Sequence, residues 1–426
     1  MMKNILFTTF IFATSISLSA QSFVQVSMGA GYAQQAYYRL SDDNVEQVAN
    51  ENWDLAFSMI GQTDVGVSIN ESTTSVTGMP APELKLFLTN ASDFSEAIDT
   101  SSFGDRLYND ESGWDNGALN NVATPGDPFD LGWGQYNVTN HSLTGTRIFA
   151  VELRDGTHKK FMIENFAQGS YNLKYANLDG SDEQTVSISK ANFPEAPIAL
   201  FSFASGEVLP SVGAFDLLFC RYYTKLDDGT GNLLDYPVSG VLSAPGVEVA
   251  QADEIDPATV EYAAYEDSLS TELDVIGYDW KAFDFTLGWV MPDDRAYFVK
   301  TPDNLIYKLV FVDFEGSSTG VTTFEKTELG VLSSVRDRNS NFEQASVYPN
   351  PVVDEATVAF TLKQQQNNLQ MRLTDLSGRT VWQTNGVPGN EGLNIVNLPR
   401  LDLPQGMYIL SIGSGADVIT LKMMQQ

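Results

Sequence analysis

An internal repeat limits the folds open to this sequence more than any other feature. The segments 147–166 and 295–314 match at one constant spacing, and both alternate apolar with polar residues on either side of a turn dipeptide. This period-2 spacing predicts a β-hairpin in each segment. The matched residues are Arg147, Val151, Asp155, Lys160 and Phe166 in the first segment and Arg295, Val299, Asp303, Lys308 and Phe314 in the second.

The repeat extends beyond the two hairpins. Residues 53–57 (Trp-Asp-Leu-Ala-Phe) correspond to residues 215–219 (Phe-Asp-Leu-Leu-Phe). In each copy this segment precedes the predicted hairpin. The tripeptide Leu-Gly-Trp ends at Trp133 and occurs again ending at Trp289. Several matches in one order predict a tandem duplication.

The predicted copies span residues 22–192 and 193–330. Short apolar runs separated by Gly, Pro, Asn and Asp clusters predict that each copy is a mostly β domain. Each copy also contains one predicted short helix, at residues 92–98 and 256–262, because a capping Ser or Asp opens the segment.

The composition changes after a polar linker, predicted at residues 331–344. Alternating apolar segments with turn residues between them fill residues 345–426. Six or seven short strands in about eighty residues predict a small Ig-like β-sandwich. The fold class predicted for the whole chain is therefore mainly β, in three parts.

The last part resembles the type A C-terminal sorting domain of the type IX secretion system of Bacteroidetes. The resemblance rests on four motifs in order: Tyr-Pro-Asn-Pro at 348–351, then 373–379, 403–410 and 420–424. It implies that the type IX secretion machinery is a partner of residues 345–426. It further implies a protein that is secreted or held at the outer cell surface.

The N-terminus has the pattern of a secretory signal peptide. One positive charge at Lys3 precedes a mostly apolar stretch at 5–16 and a small-residue run that ends at Ala20. This order predicts a signal peptide at residues 1–20, cleaved after Ala20. No later segment approaches the roughly 18 consecutive apolar residues of a membrane-spanning helix, so we predict no transmembrane segment.

The formal net charge is −31, and nearly all of it lies before residue 345. Such a body repels nucleic acid and anionic membranes, so neither is expected as a partner. Acidic loops at 109–112 and 227–232 are candidate calcium sites, but neither has the spaced oxygen ligands of a defined calcium loop. Cys220, the single cysteine, is expected to be a small buried hydrophobe.

Sequence motifs for catalysis are absent. The chain contains two histidines, His141 and His158, and no Gly-x-Ser-x-Gly, His-Glu-x-x-His or phosphate-binding loop. A hydrolase with a pair of carboxylates stays open, because 55 acidic residues offer many pairs and no spacing selects one. We predict that the protein is not an enzyme.

The segment 22–330 also resembles the HmuY-like haem-binding proteins of Bacteroidetes. The resemblance rests on residues 53–57 and 201–208 and on the hairpins at 153–160 and 297–304. It implies two tandem pocketed β domains that bind a ligand. It also makes haem the leading cofactor.

Haem ligation commonly uses His with a second His or Met on the opposite face of the ring. His141 and His158, both in the first copy, are the candidate haem ligands, and Met59 and Met162 are possible second donors. The second copy contains no histidine. A haem site is therefore predicted in the first copy only.

A cofactor-free surface interaction or adhesion protein is the alternative function. Such a protein would bind a glycan, a peptide or a partner protein. Aromatic residues suit either stacking on sugars or filling a core. The candidates are Trp114, Trp133, Tyr136, Trp280 and Trp289. The sequence defines neither the natural ligand nor the oligomeric state.

Overall fold

The computed structural model describes residues 21–61, 64–74, 82–331, 341–348, 352, 356–375, 379–401, 403–414 and 417–425. Tertiary contacts divide the chain into two compact units, Met1–Gly330 and Val331–Gln426. The predicted signal peptide at 1–20 and the linker residues 332–340 lie outside the described residues.

The first unit is built from short antiparallel strands, which confirms the prediction of a mainly β fold. Its strands are β1 (Gln21–Ser27), β2 (Gln34–Tyr38), β3 (Val45–Ala49), β4 (Leu55–Ser58), β5 (Val67–Ile69), β6 (Lys85–Leu88), β7 (Arg106–Leu107), β8 (Gly134–Asn137), β9 (Ser142–Gly145), β10 (Phe149–Glu152), β11 (His158–Ala167), β12 (Ser170–Asn177), β13 (Gln184–Ser189), β14 (Ile198–Ser202), β15 (Glu207–Val208), β16 (Leu217–Asp227), β17 (Leu233–Ser243), β18 (Glu248–Ala252), β19 (Ala282–Asp284), β20 (Gly288–Val290), β21 (Ala296–Lys300), β22 (Leu305–Phe314) and β23 (Val321–Val331).

The helices of the described residues are 3-10 turns of three residues each. They are Ala30–Tyr32, Thr100–Ser102, Trp114–Asn116, Lys190–Asn192, Tyr262–Ala264, Glu266–Ser268 and Gly316–Ser318. The predicted helices at 92–98 and 256–262 are wrong, because both segments form capped turns. In each turn a carbonyl accepts a hydrogen bond from a lysine of the repeat: Lys160 Nζ donates to Glu96 O, and Lys308 Nζ donates to Pro257 O, both at 2.6 Å.

Four sheets of the first unit form two sandwiches with separate cores. The first sandwich packs the sheet β13-β12-β11-β10-β6-β7, joined by the β8–β9 hairpin, against the sheet β15-β14-β4-β5. The second sandwich packs β1-β23-β22-β21-β18 against β17-β16-β2-β3. β4 and β14 place alternate residues in both cores, because Ala56 and Leu200 enter the second core while Phe57 and Phe201 enter the first.

Each sandwich contains strands from both predicted copies. β2 pairs with β16, whereas β14 pairs with β4. The first sandwich is therefore continuous from β4 to β15, and the second is completed by β1, β2 and β3 from the start of the chain. Neither predicted copy forms a compact unit alone. The boundary between the predicted copies, between residues 192 and 193, stays a prediction. The HmuY-like assignment also stays a prediction.

The strand pairs β4–β14 and β2–β16 each join segments of the two predicted copies, and we call them the exchanged junctions. The two junctions have the same hydrogen bonds. At each, an aspartate donates its backbone N–H to the facing strand, and its carboxylate accepts the backbone N–H two residues further along that strand. The bonds are Asp54 N–Phe201 O (2.8 Å), Phe203 N–Asp54 Oδ2 (2.7 Å), Asp216 N–Tyr38 O (2.8 Å) and Leu40 N–Asp216 Oδ2 (2.8 Å). Both carboxylates are buried, which explains why Asp follows the aromatic residue in both copies.

The second unit is a two-sheet sandwich of seven strands, as the sequence predicted. One sheet has the order β24-β25-β28 and the other β27-β26-β29-β30. Its core is formed by alternate residues of the strands, such as Val358, Phe360 and Leu362 of β25. The strands are β24 (Phe342–Tyr348), β25 (Ala356–Leu362), β26 (Gln366–Asp375), β27 (Thr380–Gly389), β28 (Gly392–Leu398), β29 (Gly406–Ser414) and β30 (Asp417–Gln425).

A search of the described residues for a helix both long and apolar enough to cross a membrane finds none.

Candidate functional sites

The motif residues of the second unit lie at its turns and core. Asp375, in the motif at 373–379, accepts hydrogen bonds from Arg379 N and Arg379 Nε, both at 3.0 Å, and so links the end of β26 to the residue just before β27. In the motif at 403–410, Tyr408 Oη donates to Pro404 O at 2.8 Å. These contacts show why the motifs need a carboxylate and a tyrosine at these positions.

The last motif, at 420–424, is part of β30, which pairs with β29 along its full length. Val352 N donates to Met424 O at 2.7 Å, so the chain just after the Tyr-Pro-Asn-Pro motif meets the last strand. Residues 349–351 of that motif lie outside the described residues. The structure thus places Val352, the residue just after the first motif, beside the last motif.

His141 lies in the tight turn between β8 and β9. Its backbone has a φ of 56°, in the left-handed region, and its side chain is exposed. Its Nδ1 lies 2.7 Å from Tyr136 Oη, so an external ligand would bind Nε2. The geometry is compatible with a single exposed imidazole ligand.

His158 opens β11 and is half-buried. Its Nε2 lies 3.8 Å from Glu152 Oε2, and its ring packs 5.8 Å from Phe103. Met162 follows four residues later on the same face, about 13 Å along the strand. Met59 is buried in the first core. Among the described residues, the two candidate donors Met59 and Met162 therefore do not lie opposite His158.

The two histidines lie near opposite ends of β11: His158 begins the strand, and His141 lies in the turn before β9, which pairs with the far end of β11. Phe166, near that far end, pairs with Leu143, two residues after His141. Eight residues of strand span about 26 Å. Two axial ligands bind one iron from opposite faces, so His141 and His158 cannot share a haem in this structure. Each histidine as a single ligand stays a prediction.

A seam cavity of about 60 Å³ lies between the two sandwiches, lined by Trp53, Glu71 and Tyr222 among others. The carboxylate of Glu71 joins the sandwiches, because its oxygens accept from Asn109 N at 2.8 Å and Tyr223 N at 3.2 Å. Burial raises the pKa of Glu71 to about 7. A cavity of this volume is too small for haem.

The hairpin at 282–290, termed the aromatic hairpin, consists of β19, β20 and their turn. Phe285 is 99% exposed, Leu287 76% and Phe283 55%. The carboxylate of Asp284 fixes the turn by accepting hydrogen bonds from the backbone N–H groups of residues 286 and 287, at 2.7 and 2.8 Å. A rigid turn therefore presents apolar side chains to solvent.

Edge-to-face ring contacts connect this hairpin to the second core. The ring centroids of Phe314 and Trp289 are 5.0 Å apart, those of Trp289 and Phe283 5.3 Å, and those of Phe283 and Phe285 5.8 Å. Phe314 is buried, and Phe285 ends the series in solvent. This packing holds the exposed rings in place.

The five aromatic residues considered as sugar platforms have different environments. Trp133 and Trp280 are fully buried in the first and second cores. Trp114 Nε1 donates to Ser243 O at 2.8 Å. Tyr136 contacts His141, and Trp289 lies at the base of the aromatic hairpin. The sequence match of Trp133 with Trp289 therefore joins a fully buried residue to a partly buried one.

Polar side chains of the two acidic loops are hydrogen-bonded to backbone groups of the protein. Asp227 and Asp228 accept hydrogen bonds from backbone N–H groups of their loop, and Asn109 bonds Ile69 through both side-chain atoms. No group of three or more His, Cys, Asp or Glu side chains suited to a metal occurs among the residues with assigned positions. Cys220 is buried, and burial raises the pKa of its thiol.

Residues 346–426 match the family model of the secretion system C-terminal sorting domain. This region is therefore a sorting domain of the type IX secretion system, and the protein is exported to the cell surface or secreted. The sorting domain implies an interaction with the type IX secretion machinery.

Two solved structures from Porphyromonas gingivalis show a weak likeness. PorZ, described as an essential surface component of the type IX secretion system, is 10% identical over 69% of this chain, with a TM-score of 0.15. Dimeric latent PorU is 9% identical over 95%, with a TM-score of 0.17. This chain spans 42% and 34% of those two chains, and TM-scores this low define neither fold nor function. No curated protein matches the chain.

Proposed function

We propose that the mature protein is a non-enzymatic binding protein at the cell surface or in the medium, and that the aromatic hairpin is its contact surface. The observation that carries this proposal is the exposure of Phe283, Phe285 and Leu287 on a turn that Asp284 fixes. Exposed apolar groups held rigidly typify interaction surfaces, because burying them on a partner returns the hydrophobic free energy that folding left unused.

A protein partner suits this hairpin better than a glycan. Sugar platforms are flat aromatic faces, but Leu287 and Val290 are aliphatic and offer no face for stacking. The rings of Phe283 and Phe285 meet at 86°, so they do not form one continuous flat surface. Aliphatic and aromatic side chains together fit an apolar pocket on a protein.

A contact role rather than a catalytic role for the hairpin is supported by the residues of the hairpin itself. Neither histidine belongs to the second sandwich, and the hairpin itself carries one titratable residue, Asp284, whose carboxylate is used by the turn. The hairpin therefore provides contact area rather than a nucleophile.

Photo-crosslinking tests this function. A photoreactive phenylalanine analogue replaces Phe285 in the full-length protein, which is then mixed with the surface fraction of the secreting bacterium and irradiated. The same analogue at Asp179, an exposed turn residue of the first sandwich, is the matched control. We expect a discrete protein adduct from position 285 alone. No adduct, or equal adducts from both positions, would overturn the proposal.

Haem binding by the first sandwich is the second candidate, and the exposed His141 with its Tyr136 contact supports it. Haemin titration tests it. A saturable Soret shift that His141→Ala abolishes and His158→Ala leaves intact would support a single-histidine site. The same shift in both variants would overturn His141 as the ligand, and no shift in the unmodified protein would remove haem as a ligand.

A further inference from the structure

A groove of about 700 Å³ opens on the second sandwich next to the aromatic hairpin. We name it the acidic groove. Its floor includes Met291, Val310 and Val312, and its walls carry Asp256, Asp293 and Glu325. Met291 directly follows Val290, the last residue of the hairpin, so the apolar floor begins where the hairpin ends.

The charge of this groove is one-sided. Three carboxylates face one ammonium group among the lining residues, and that ammonium, Lys308 Nζ, donates a hydrogen bond to Pro257 O at 2.6 Å. Asp256 and Asp293 are exposed. The surrounding body carries nearly all of the net charge of −31, which reinforces the negative potential at the groove.

The corresponding face of the first sandwich carries different side chains. Where the second sandwich has Val312, the repeat places Glu164, and Lys174 Nζ lies 2.8 Å from its Oε1. The Phe94 ring covers Lys160 and Lys174, at 5.0 and 5.6 Å. The first sandwich thus has an ion-paired glutamate at the position where the second sandwich has the partly exposed Val312.

We propose that the acidic groove binds a cationic, apolar segment of a partner protein. This inference rests on the proposed binding function and names the chemistry of the partner. Lysine or arginine side chains of the segment would face Asp256 and Asp293, and apolar side chains between them would cover Val310 and Val312. Charge complementarity selects the cationic segment over an acidic or neutral one.

A protein segment fits better than a small cation because the apolar surface continues beyond the groove. Phe285 and Leu287 are exposed on the hairpin that adjoins the groove. The groove volume alone lies within the range of small-molecule sites. The groove and the hairpin together offer a surface for several consecutive residues of a partner.

Peptide binding by the full-length protein tests the inference. The probe is a labelled octapeptide of alternating lysine and leucine, and its binding is measured by fluorescence anisotropy at low and high salt. The controls replace every lysine by glutamate or every leucine by serine. We expect saturable binding of the lysine–leucine peptide only, and weaker binding at high salt because the charges are exposed.

Two charge-matched double variants locate the site. D256N/D293N should weaken binding about three- to tenfold, the range expected for two solvent-exposed charge pairs. D155N/D179N makes the same change of net charge in turns of the first sandwich and should leave binding unchanged. Asparagine can keep the turn contacts of Asp256, so loss of folding is not expected.

Equal weakening by both double variants, or equal binding of the glutamate–leucine peptide, would overturn the acidic groove as the site. If no peptide binds while position 285 still gives its adduct, this inference fails and the proposed binding function stands. If both measurements are negative, the binding function fails with it.

Discussion

The first and second sandwiches carry the same polar contacts at corresponding positions, yet they present different surfaces to solvent. Asp54 and Asp216 hold equivalent exchanged strands, and Lys160 and Lys308 reach carbonyls of equivalent turns at the same distance. These groups are costly to leave unpaired when buried, so a duplicated fold can change them only together with their partners.

The surfaces have no such restraint. Glu164 is paired with Lys174 on the first sandwich, and Val312 stands at the corresponding position on the second. The aromatic hairpin also belongs to the second sandwich. The two sandwiches therefore share their framework contacts, whereas the aromatic hairpin, proposed as the contact surface, packs on the core of the second sandwich.

The largest expected difference between the two sandwiches is the loss of stability when each junction aspartate is replaced. Asp54→Ala leaves the mostly buried Arg154, 3.2 Å away, without its counter-charge, so we expect a loss of about 3–5 kcal/mol in the free energy of unfolding. Asp216→Ala leaves Leu40 N without its acceptor, which should cost about 1–3 kcal/mol. The repeat places Pro302 where the first sandwich has Arg154. Urea denaturation followed by tryptophan fluorescence measures both.

The added effect at Asp54 depends on Arg154. The double variant D54A/R154M removes both charges and should be more stable than Asp54→Ala alone. If Asp54→Ala and Asp216→Ala cost the same, and Arg154→Met changes nothing, the two junctions are energetically equivalent and the contrast drawn here is incorrect.

The pH dependence of stability should differ between the two corresponding positions at the seam, because only one of them has a titratable side chain. Asn70 N and Ala244 N donate to Asp54 O and Asp216 O at equivalent places, so the next residues, Glu71 and Pro245, correspond. Burial raises the pKa of Glu71 from 4.5 to about 7. The folded protein holds this proton more tightly than the unfolded chain. The stabilising contribution is therefore complete below about pH 4.5 and is lost as the pH rises to about 7, a change of about 3 kcal/mol.

Glu71→Gln removes this titration. We expect the free energy of unfolding of the variant to lose less on going from pH 5 to pH 8 than that of the unmodified protein. Glu51→Gln, which changes an exposed carboxylate near the same junction, is the matched control and should keep the original pH dependence. An unchanged pH profile in Glu71→Gln would show that this carboxyl is already ionised in the fold at pH 5.

The sequence predicted the hairpins and the sorting sandwich because both depend on local periodicity. Period-2 apolar spacing and the turn at Asp155-Gly156 determine which residues pair across β10 and β11. The exchange of β2 and β14 depends instead on which copy supplies the facing strand. Both arrangements bury the same residues, so a single sequence contains no signal that separates them.

The contact surface was missed for a related reason. Phe283, Phe285 and Leu287 alternate with polar residues, the same pattern that places Phe149 and Val151 in the first core. Periodicity shows that the residues share one face and does not show whether another sheet covers it. Conversely, the histidines attracted attention by their rarity, and only tertiary pairing shows that His141 and His158 lie far apart.

The smallest expected effect concerns an ion pair that the two sandwiches hold with opposite polarity. Lys85 Nζ lies 3.1 Å from Glu152 Oε1 across β6 and β10, and Lys300 Nζ lies 2.8 Å from Glu248 Oε2 across β18 and β21. Each pair is directly opposite in its ladder. The position thus requires opposite charges and accepts either order.

Reversing the first pair tests this rule. Glu152→Lys alone places two lysines opposite each other and should cost up to about 1 kcal/mol. Adding Lys85→Glu reproduces the polarity of the second sandwich and should recover most of the loss in a double-mutant cycle at low salt. High salt should shrink the coupling, because these side chains are partly exposed. If the double variant stays as unstable as Glu152→Lys, the polarity is fixed by neighbours such as His158, whose Nε2 lies 3.8 Å from Glu152 Oε2. The two ladders would then be equivalent in geometry but not in electrostatics.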